Sequence, residues 1–396
     1  MLPLEFLLFG LTLLGVAVFH RQSLAIAACG LAAVIAYQWI FARFPTGVGW
    51  AGLVAHASHE WVILTNLLQL LVGFALVSRH FEDSQVPAVL PHYLPDNWTG
   101  AFALLVTIFV ISAFLDNIAA ALIGGAMAHT LFRARVSIGY IAAIVAASNA
   151  GGSGSVIGDT TTTMMWISGV APIQVAHAYV AAIAALLVFG IAAARRQQRF
   201  SPIIKDARTS HRIDWTRVMI VAWILACAVI VNLVVNMKLP QIAGRFPFIG
   251  VAVALALIVT IPIRQPDWRA LPGAFKGSLF LLCLVASASL MPVQSLPHAS
   301  WQTALALGFV SAGFDNIPLT ALALKQGGYD WGMLAYAVGF GGSMLWFGSS
   351  AGVAICGIFP EARSTAKWLG EGWPVAVAYV AGFALLLATI GWRPAF

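Results

Sequence analysis

Apolar runs of roughly 20 residues recur from one end of the chain to the other, and no other feature constrains the fold as strongly. Each is long enough to cross a hydrocarbon core of about 30 Å. No water satisfies backbone N–H and C=O groups there, so each crossing must be a helix or a strand of a closed barrel. Barrel strands alternate apolar and polar residues over about 10 positions. Here the runs are continuous and rich in Ala and Leu, which selects helices. They fall near 4–20, 24–41, 61–78, 99–131, 137–168, 172–194, 217–236, 246–263, 277–295, 301–324, 331–358 and 374–391. Charged residues make up 9% of the 396, against about 25% in soluble domains. The expected class is an all-α polytopic membrane protein of an inner or plasma membrane, without a sizeable soluble domain. Residues 4–19 have no basic n-region and no small-residue cleavage site, so they read as the first span.

The net charge of +7 calls for no nucleic acid, because Lys and Arg collect in loops on one side of a membrane. Cys29, Cys227, Cys283 and Cys356 lie in apolar runs without pairing or metal spacing, and are expected to be reduced and packed. His56 and His59, with Glu60, are expected in an exterior loop. The glycines at 151–158 are not followed by Lys, so no phosphate-cradling loop is present and ATP-driven transport by this chain is not expected. Neither enzymatic activity nor a resident cofactor is expected.

Two pairs of segments match each other. "SAFLDNI" at 112–118 aligns with "SAGFDNI" at 311–317, and "GGSGSVIG" at 151–158 aligns with "GGSMLWFG" at 341–348. Two ordered matches at similar separations indicate structural repeats. The expected organisation is a first membrane repeat over 1–194, a basic cytoplasmic linker over 195–216 and a second repeat over 217–396. The runs 99–131 and 137–168 are too long for one simple crossing, and 301–324 is broken in its middle by "FDNIP". If 99–131 and 301–324 are re-entrant helical hairpins, each half makes an odd number of crossings and the halves have opposite topology. Placing the linker in the cytoplasm then leaves Arg43, Lys238, Arg245, Lys325 and Arg393 outside. The other sixteen of the 21 basic residues, Arg21 among them, lie inside, the asymmetry that orients membrane proteins. Both termini are then expected outside.

Three of the 14 acidic residues fall inside membrane segments: Asp116, Asp159 and Asp315. A carboxylate at the bilayer centre costs about 3 kcal/mol on insertion scales, and is by default a functional group. No Lys or Arg lies within these three segments away from their ends to neutralise one. The stretch 148–169, "SNAGGSGSVIGDTTTTMMWISG", sets Asp159 between glycines and four threonines. Glycine lets backbone leave the helical region. Freed carbonyls, with Asp159, Asn149 and the hydroxyls of Thr160 and Thr161, would form the oxygen-rich shell that hard cations take. For Thr162 and Thr163, back-bonding to the helix or helix packing is the alternative. Asn117 and Asn316 follow the tip acids and either ligate through oxygen or hold broken backbone through nitrogen. Ser349 stands where Asp159 stands, so the site is expected to be asymmetric. Ser153, Ser343, Ser349 and Ser350 are supporting polar groups. Asp116, Asp159 and Asp315 are the candidate Na⁺ ligands.

The paired "DNI" motifs, "GG…IGDTTTTMMWISG" and the late "FGSSAGVAICG" resemble NhaD-type sodium:proton antiporters of the ion transporter superfamily. The resemblance covers most of the chain. It implies two inverted repeats, each with a re-entrant helical hairpin and a discontinuous transmembrane helix. It also implies a homodimer and an elevator-like movement of substrate. Carried over, Asp116-Asn117, Asp159-Thr160 and Asp315-Asn316 would be the site.

The function expected is exchange of Na⁺ or Li⁺ for H⁺ by alternating access, the two ions competing for the same carboxylates. The alternative is a sodium- or proton-coupled carrier of dicarboxylate- or citrate-like anions. Uncompensated carboxylates at both tips would repel such an anion, unless sodium screened them.

Overall fold

The computed structural model describes residues 3–19, 22–203, 212–239, 242 and 244–395. Arg21 and the middle of the expected linker, 204–211, lie outside the described residues. The chain is an all-α polytopic membrane protein: among the described residues six helices are long and apolar enough to cross a membrane. Among the described residues the β-structure amounts to one isolated bridge, Phe44 to Gly47. Large apolar side chains such as Trp223, Ile230, Leu255 and Val259 face outward, as bilayer-facing surface does.

The helices used below are α1 (Leu4–Val18), α2 (Ser23–Ile40), α3 (Gly49–Asp83), α4 (Trp98–Ser112), α5 (Asn117–Leu131), α6 (Ile138–Ser153), α7 (Thr160–Ile167) and α8 (Ala178–Phe200), then α9 (Trp215–Lys238), α10 (Phe248–Thr260), α11 (Leu271–Ser289), α12 (Trp301–Ser311), α13 (Asn316–Gln326), α14 (Trp331–Gly341), α15 (Ser350–Ile358) and α16 (Thr365–Thr389). The long runs 99–131 and 301–324 thus resolve into helix pairs α4–α5 and α12–α13. The runs 137–168 and 331–358 resolve into interrupted helices α6–α7 and α14–α15.

The breaks have identifiable causes. After α4 and α12 the chain turns, and an aspartate becomes the N-cap of the next helix. Asp116 accepts a hydrogen bond from Ile118 N at 3.3 Å, and Asp315 from Ile317 N at 3.1 Å. A carboxylate in this position satisfies one of the orphan donors of a new helix. Each tip is clamped to the neighbouring interrupted helix. Ser112 Oγ donates to Ser148 O at 2.5 Å, and Ser311 Oγ to Val338 O at 2.7 Å. Glycine makes the approach possible: a Cβ at Gly151 would lie 2.1 Å from Phe109 O, and one at Gly341 would lie 2.3 Å from Gly308 O. Pro318 is present only at the second tip, yet both tips break, so the cap and the backbone contact suffice.

Helices α6 and α14 are the centre of the molecule. Every residue of α14, and all of α6 but Gly139, is buried, as expected of helices apolar on all sides. Around them pack α4, α8, α12 and α16. Helices α1, α2, α3 and α11 share a second apolar cluster that includes Phe9, Leu67, Leu284 and, from α7 and α13, Met164 and Ile317. This cluster joins the outer helices to the broken ones.

Polar contacts fix the two ends. At one, Arg217 at the start of α9 pairs with Asp83 at the end of α3, and Arg264 beyond α10 pairs with Asp214. The Arg264 guanidinium holds the Asp214 carboxyl below the usual carboxylate range. At the other, Lys325 Nζ at the end of α13 donates to Ser289 O and Met291 O, and Gln326 Nε2 donates to Pro297 O.

Three expectations need correction. His56, His59 and Glu60 are not in a loop but in the first turns of the 35-residue α3. His56 is buried and shares a hydrogen bond with Ser289 Oγ at 2.9 Å; the polar residues of these turns hid the helix. The last helix begins at Thr365 rather than 374 and carries Pro374 inside it. The basic stretch assigned to the linker begins within α8, which runs to Phe200. Of the cysteines, Cys356 is buried while Cys29 is exposed on α2.

Candidate functional site

The tips of α4–α5 and α12–α13 meet the breaks of α6–α7 and α14–α15, and Asp159 is where they converge. It caps α7, accepting from Thr161 N at 3.0 Å through Oδ1. Its other oxygen, Oδ2, is faced by the amide of Asn117 at 3.4 Å and of Asn316 at 3.5 Å, one from each tip. Both are long for N–H···O bonds. Asp159 is 2% exposed. Among the described residues no Lys or Arg lies within ion-pairing distance of Asp116, Asp159 or Asp315.

Asn149 joins the two halves. Its Oδ1 accepts from Asn117 Nδ2 at 3.0 Å, while its Nδ2 donates to Ser343 Oγ at 2.9 Å and to Ser349 Oγ at 3.1 Å. Ser349 caps α15 as Asp159 caps α7, accepting from Gly352 N at 3.2 Å. Asn149→Leu keeps a similar volume and strips these partners. It should lower the thermal midpoint in detergent, the cost of unsatisfied buried groups being about 1–3 kcal/mol. An unchanged midpoint would mean that Asn149 only fills space.

The threonines divide by role. Thr160 lines a cavity beside Asp159. The Thr161 hydroxyl is buried beside Asp159 without a well-formed hydrogen bond. Thr162 and Thr163 donate to the exposed carbonyls of the break, Thr162 Oγ1 to Ser155 O at 2.5 Å and Thr163 Oγ1 to Val156 O at 3.0 Å. They hold non-helical backbone, a role distinct from bonding back to their own helix. Ser153 bonds locally to Ala150 O. Ser350 donates to Asp315 Oδ2 at 2.8 Å.

The three carboxylates are neighbours, but they do not close on one point. Among the described residues no three His, Cys, Asp or Glu side chains are disposed to hold one metal ion. Asp116 and Asp315 are drawn back to the N-termini of α5 and α13, and Ser350 claims an oxygen of Asp315. The result is one buried central carboxylate with a partly buried one on either side. The three acids named as candidate Na⁺ ligands therefore do not form one ligand cluster; Asp159 stands at the centre with amide and hydroxyl neighbours.

A cavity of about 320 Å³ reaches this group. Asp116, Asp159, Thr160 and Ser350 line it, together with Arg79 and Glu82 on α3. Arg79 and Glu82 form an exposed ion pair at 2.5 Å. From α11 the cavity is lined by the small residues Gly273, Ala274, Gly277 and Ser278, with Phe280 and Leu281 beside them. Sequence reading missed this wall, because small residues in a helix carry no signal of their own until the facing side is known.

No protein-family model matches the chain. Two proteins of Arabidopsis thaliana are similar to it. Sodium/proton antiporter 2 is 26% identical over 395 residues, covering 88% of this chain and 90% of that protein. Sodium/proton antiporter 1 is 26% identical over 328 residues, covering 72% of this chain and 53% of that protein, so the chain matches about half the length of this second relative.

Proposed function

We propose that the protein exchanges Na⁺ or Li⁺ for H⁺ across its membrane, with Asp159 as the shared binding group. The observation that carries the reading is a buried carboxylate without a basic partner, faced by an amide from each tip and reached by a cavity. An unpaired buried charge is unfavourable. A proton or a small cation relieves it equally well, so each excludes the other, and exchange follows without simultaneous binding. The names of the two relatives support the same reading. Asp116 and Asp315 stand close enough to bias Asp159 electrostatically and offer further proton sites. The matched halves would be inverted repeats carrying re-entrant hairpins, and the cavity beside Arg79 the access route from one side. An elevator-like movement would open the other. A homodimer and a cytoplasmic linker belong to the same proposal.

An anion carrier is not favoured, because three neighbouring carboxylates without a basic partner would meet the substrate. The test is reconstitution of the full chain in liposomes holding an inward proton store and a pH-sensitive dye. A pulse of external Na⁺ or Li⁺ is expected to release lumenal protons. A response to a dicarboxylate alone, with none to either cation, would overturn the proposal.

A further inference from the structure

The two interrupted helices can be superposed rung by rung through their own contacts. A Cβ at Gly152 would lie 2.7 Å from Gly158 O and 3.1 Å from Asp159 Cβ; one at Gly342 would lie 2.7 Å from Gly348 O and 3.1 Å from Ser349 Cβ. The halves therefore repeat each other closely at the break. The match does not extend to every side chain, and at one rung Asn149 of α6 corresponds to Gly339 of α14.

Asn149 reaches across to Ser343 and Ser349 of the second half. The counterparts of those serines are Ser153 and Asp159. A side chain at 339 would therefore be aimed at Ser153 and Asp159. The backbone bears this out: a Cβ at Gly339 would lie 3.3 Å from Ser153 Cβ and 3.5 Å from Asp159 Oδ2. The amide that bridges one side of the molecule is absent from the other, and of the two interrupted helices its absence falls beside the one whose break is capped by an acid.

We propose that Gly339 is a specificity-determining residue, whose missing side chain reserves the space beside Asp159 Oδ2 for a dehydrated monovalent cation. A carboxylate offers about four lone-pair sites. Thr161 N takes one, and the amides of Asn117 and Asn316 approach Oδ2 only at long range. A third amide at 339 would complete the solvation of Asp159 by neutral donors and take the cation's place. Glycine withholds it. This inference rests on the exchange reading above.

The experiment compares the full-length wild type, Gly339→Ala, Gly339→Asn and Gly10→Ala in liposomes, measuring the Na⁺ concentration for half-maximal proton release and the rate at saturating Na⁺. Gly10 has open space around its Cα and serves as the control. A Cβ at 339 meets its neighbours at tight but accommodable distances, so Gly339→Ala is expected to fold. Half-saturation should rise several-fold in Gly339→Ala, whose methyl group fills the space beside Asp159 Oδ2, and on the order of tenfold or more in Gly339→Asn, where a competing donor also occupies the carboxylate. The saturated rate should change less, and Gly10→Ala should match the wild type. The double variant Gly339→Asn with Asp159→Ser rebuilds on this side the pairing that Asn149 makes with Ser349. Its thermal midpoint should exceed the value obtained by adding the two single shifts, although it does not exchange. If Gly339→Ala keeps the wild-type half-saturation, or lowers only the saturated rate, the proposal is wrong; strictly additive midpoints would also overturn it. Should Gly339→Asn not fold, Gly339→Ala alone decides. If the wild type itself gives no Na⁺-driven release, the exchange reading has failed rather than this one.

Discussion

Asp159→Asn should abolish cation-driven proton release while leaving the fold in place. Asparagine has nearly the same shape and caps helices as well as aspartate does, so the bond from Thr161 N can persist. What is lost is the charge. An amide neither takes up a proton near neutral pH nor neutralises a cation. Removing the charged partner of a buried ion costs about 3–5 kcal/mol, so cation affinity should fall on the order of a hundredfold or more. The thermal midpoint should stay level or rise, because an unpaired buried carboxylate has been removed. Near-normal exchange with folded Asp159→Asn protein would show that the ions pass elsewhere. Asp116→Asn and Asp315→Asn should have smaller effects, since those carboxylates are partly exposed and already serve as helix caps.

The second large effect concerns folding. Gly151 faces the backbone of α4 so closely that an added Cβ would sit 2.1 Å from Phe109 O. Backbone cannot move aside as the end of a flexible side chain can. Gly151→Ala must therefore push α4 away from α6, separating Ser112 from Ser148 and moving the tip that carries Asp116 and Asn117. Overpacking of this kind costs about 1–3 kcal/mol, occasionally more; here it also breaks a buried hydrogen bond. The yield of folded protein in detergent and its thermal midpoint should both fall, and Gly151→Val should fall further. Gly341→Ala should behave alike, because Gly341 makes the same approach to Gly308 O. Wild-type midpoints for both alanine variants would mean that the tips are held less tightly than their geometry indicates.

Much of this arrangement was legible in the sequence because it is written twice. The paired Asp-Asn motifs and the paired glycine runs located all four breaks, and the acids in apolar runs are the carboxylates that the fold brings together at the candidate site. Other features were hidden for physical reasons. The first turns of α3 contain His56, His59 and Glu60, which look like loop residues until one sees that His56 is buried against Ser289. The start of α16 was hidden because Lys367 and Glu371 lie in its first turns, and only the apolar run from 374 onward read as a span. The distinct roles of the threonines depended on where the freed carbonyls of Ser155 and Val156 point, which spacing does not specify. The exchange of Asn149 for Gly339 appears only when the two halves are compared contact by contact.

The central claim is that a proton and a metal cation compete for Asp159, and the most direct measurement is proton release on cation binding, without transport. Purified protein in detergent and weak buffer is titrated with NaCl, and the pH is followed with an indicator, choline chloride serving as the ionic-strength control. The account predicts that Na⁺ releases protons and choline does not. At pH values where Asp159 is mostly protonated, apparent affinity for Na⁺ should weaken about tenfold for each pH unit lowered, and Asp159→Asn should release none. Na⁺ binding that neither releases protons nor depends on pH, or equal release from Asp159→Asn, would contradict the account.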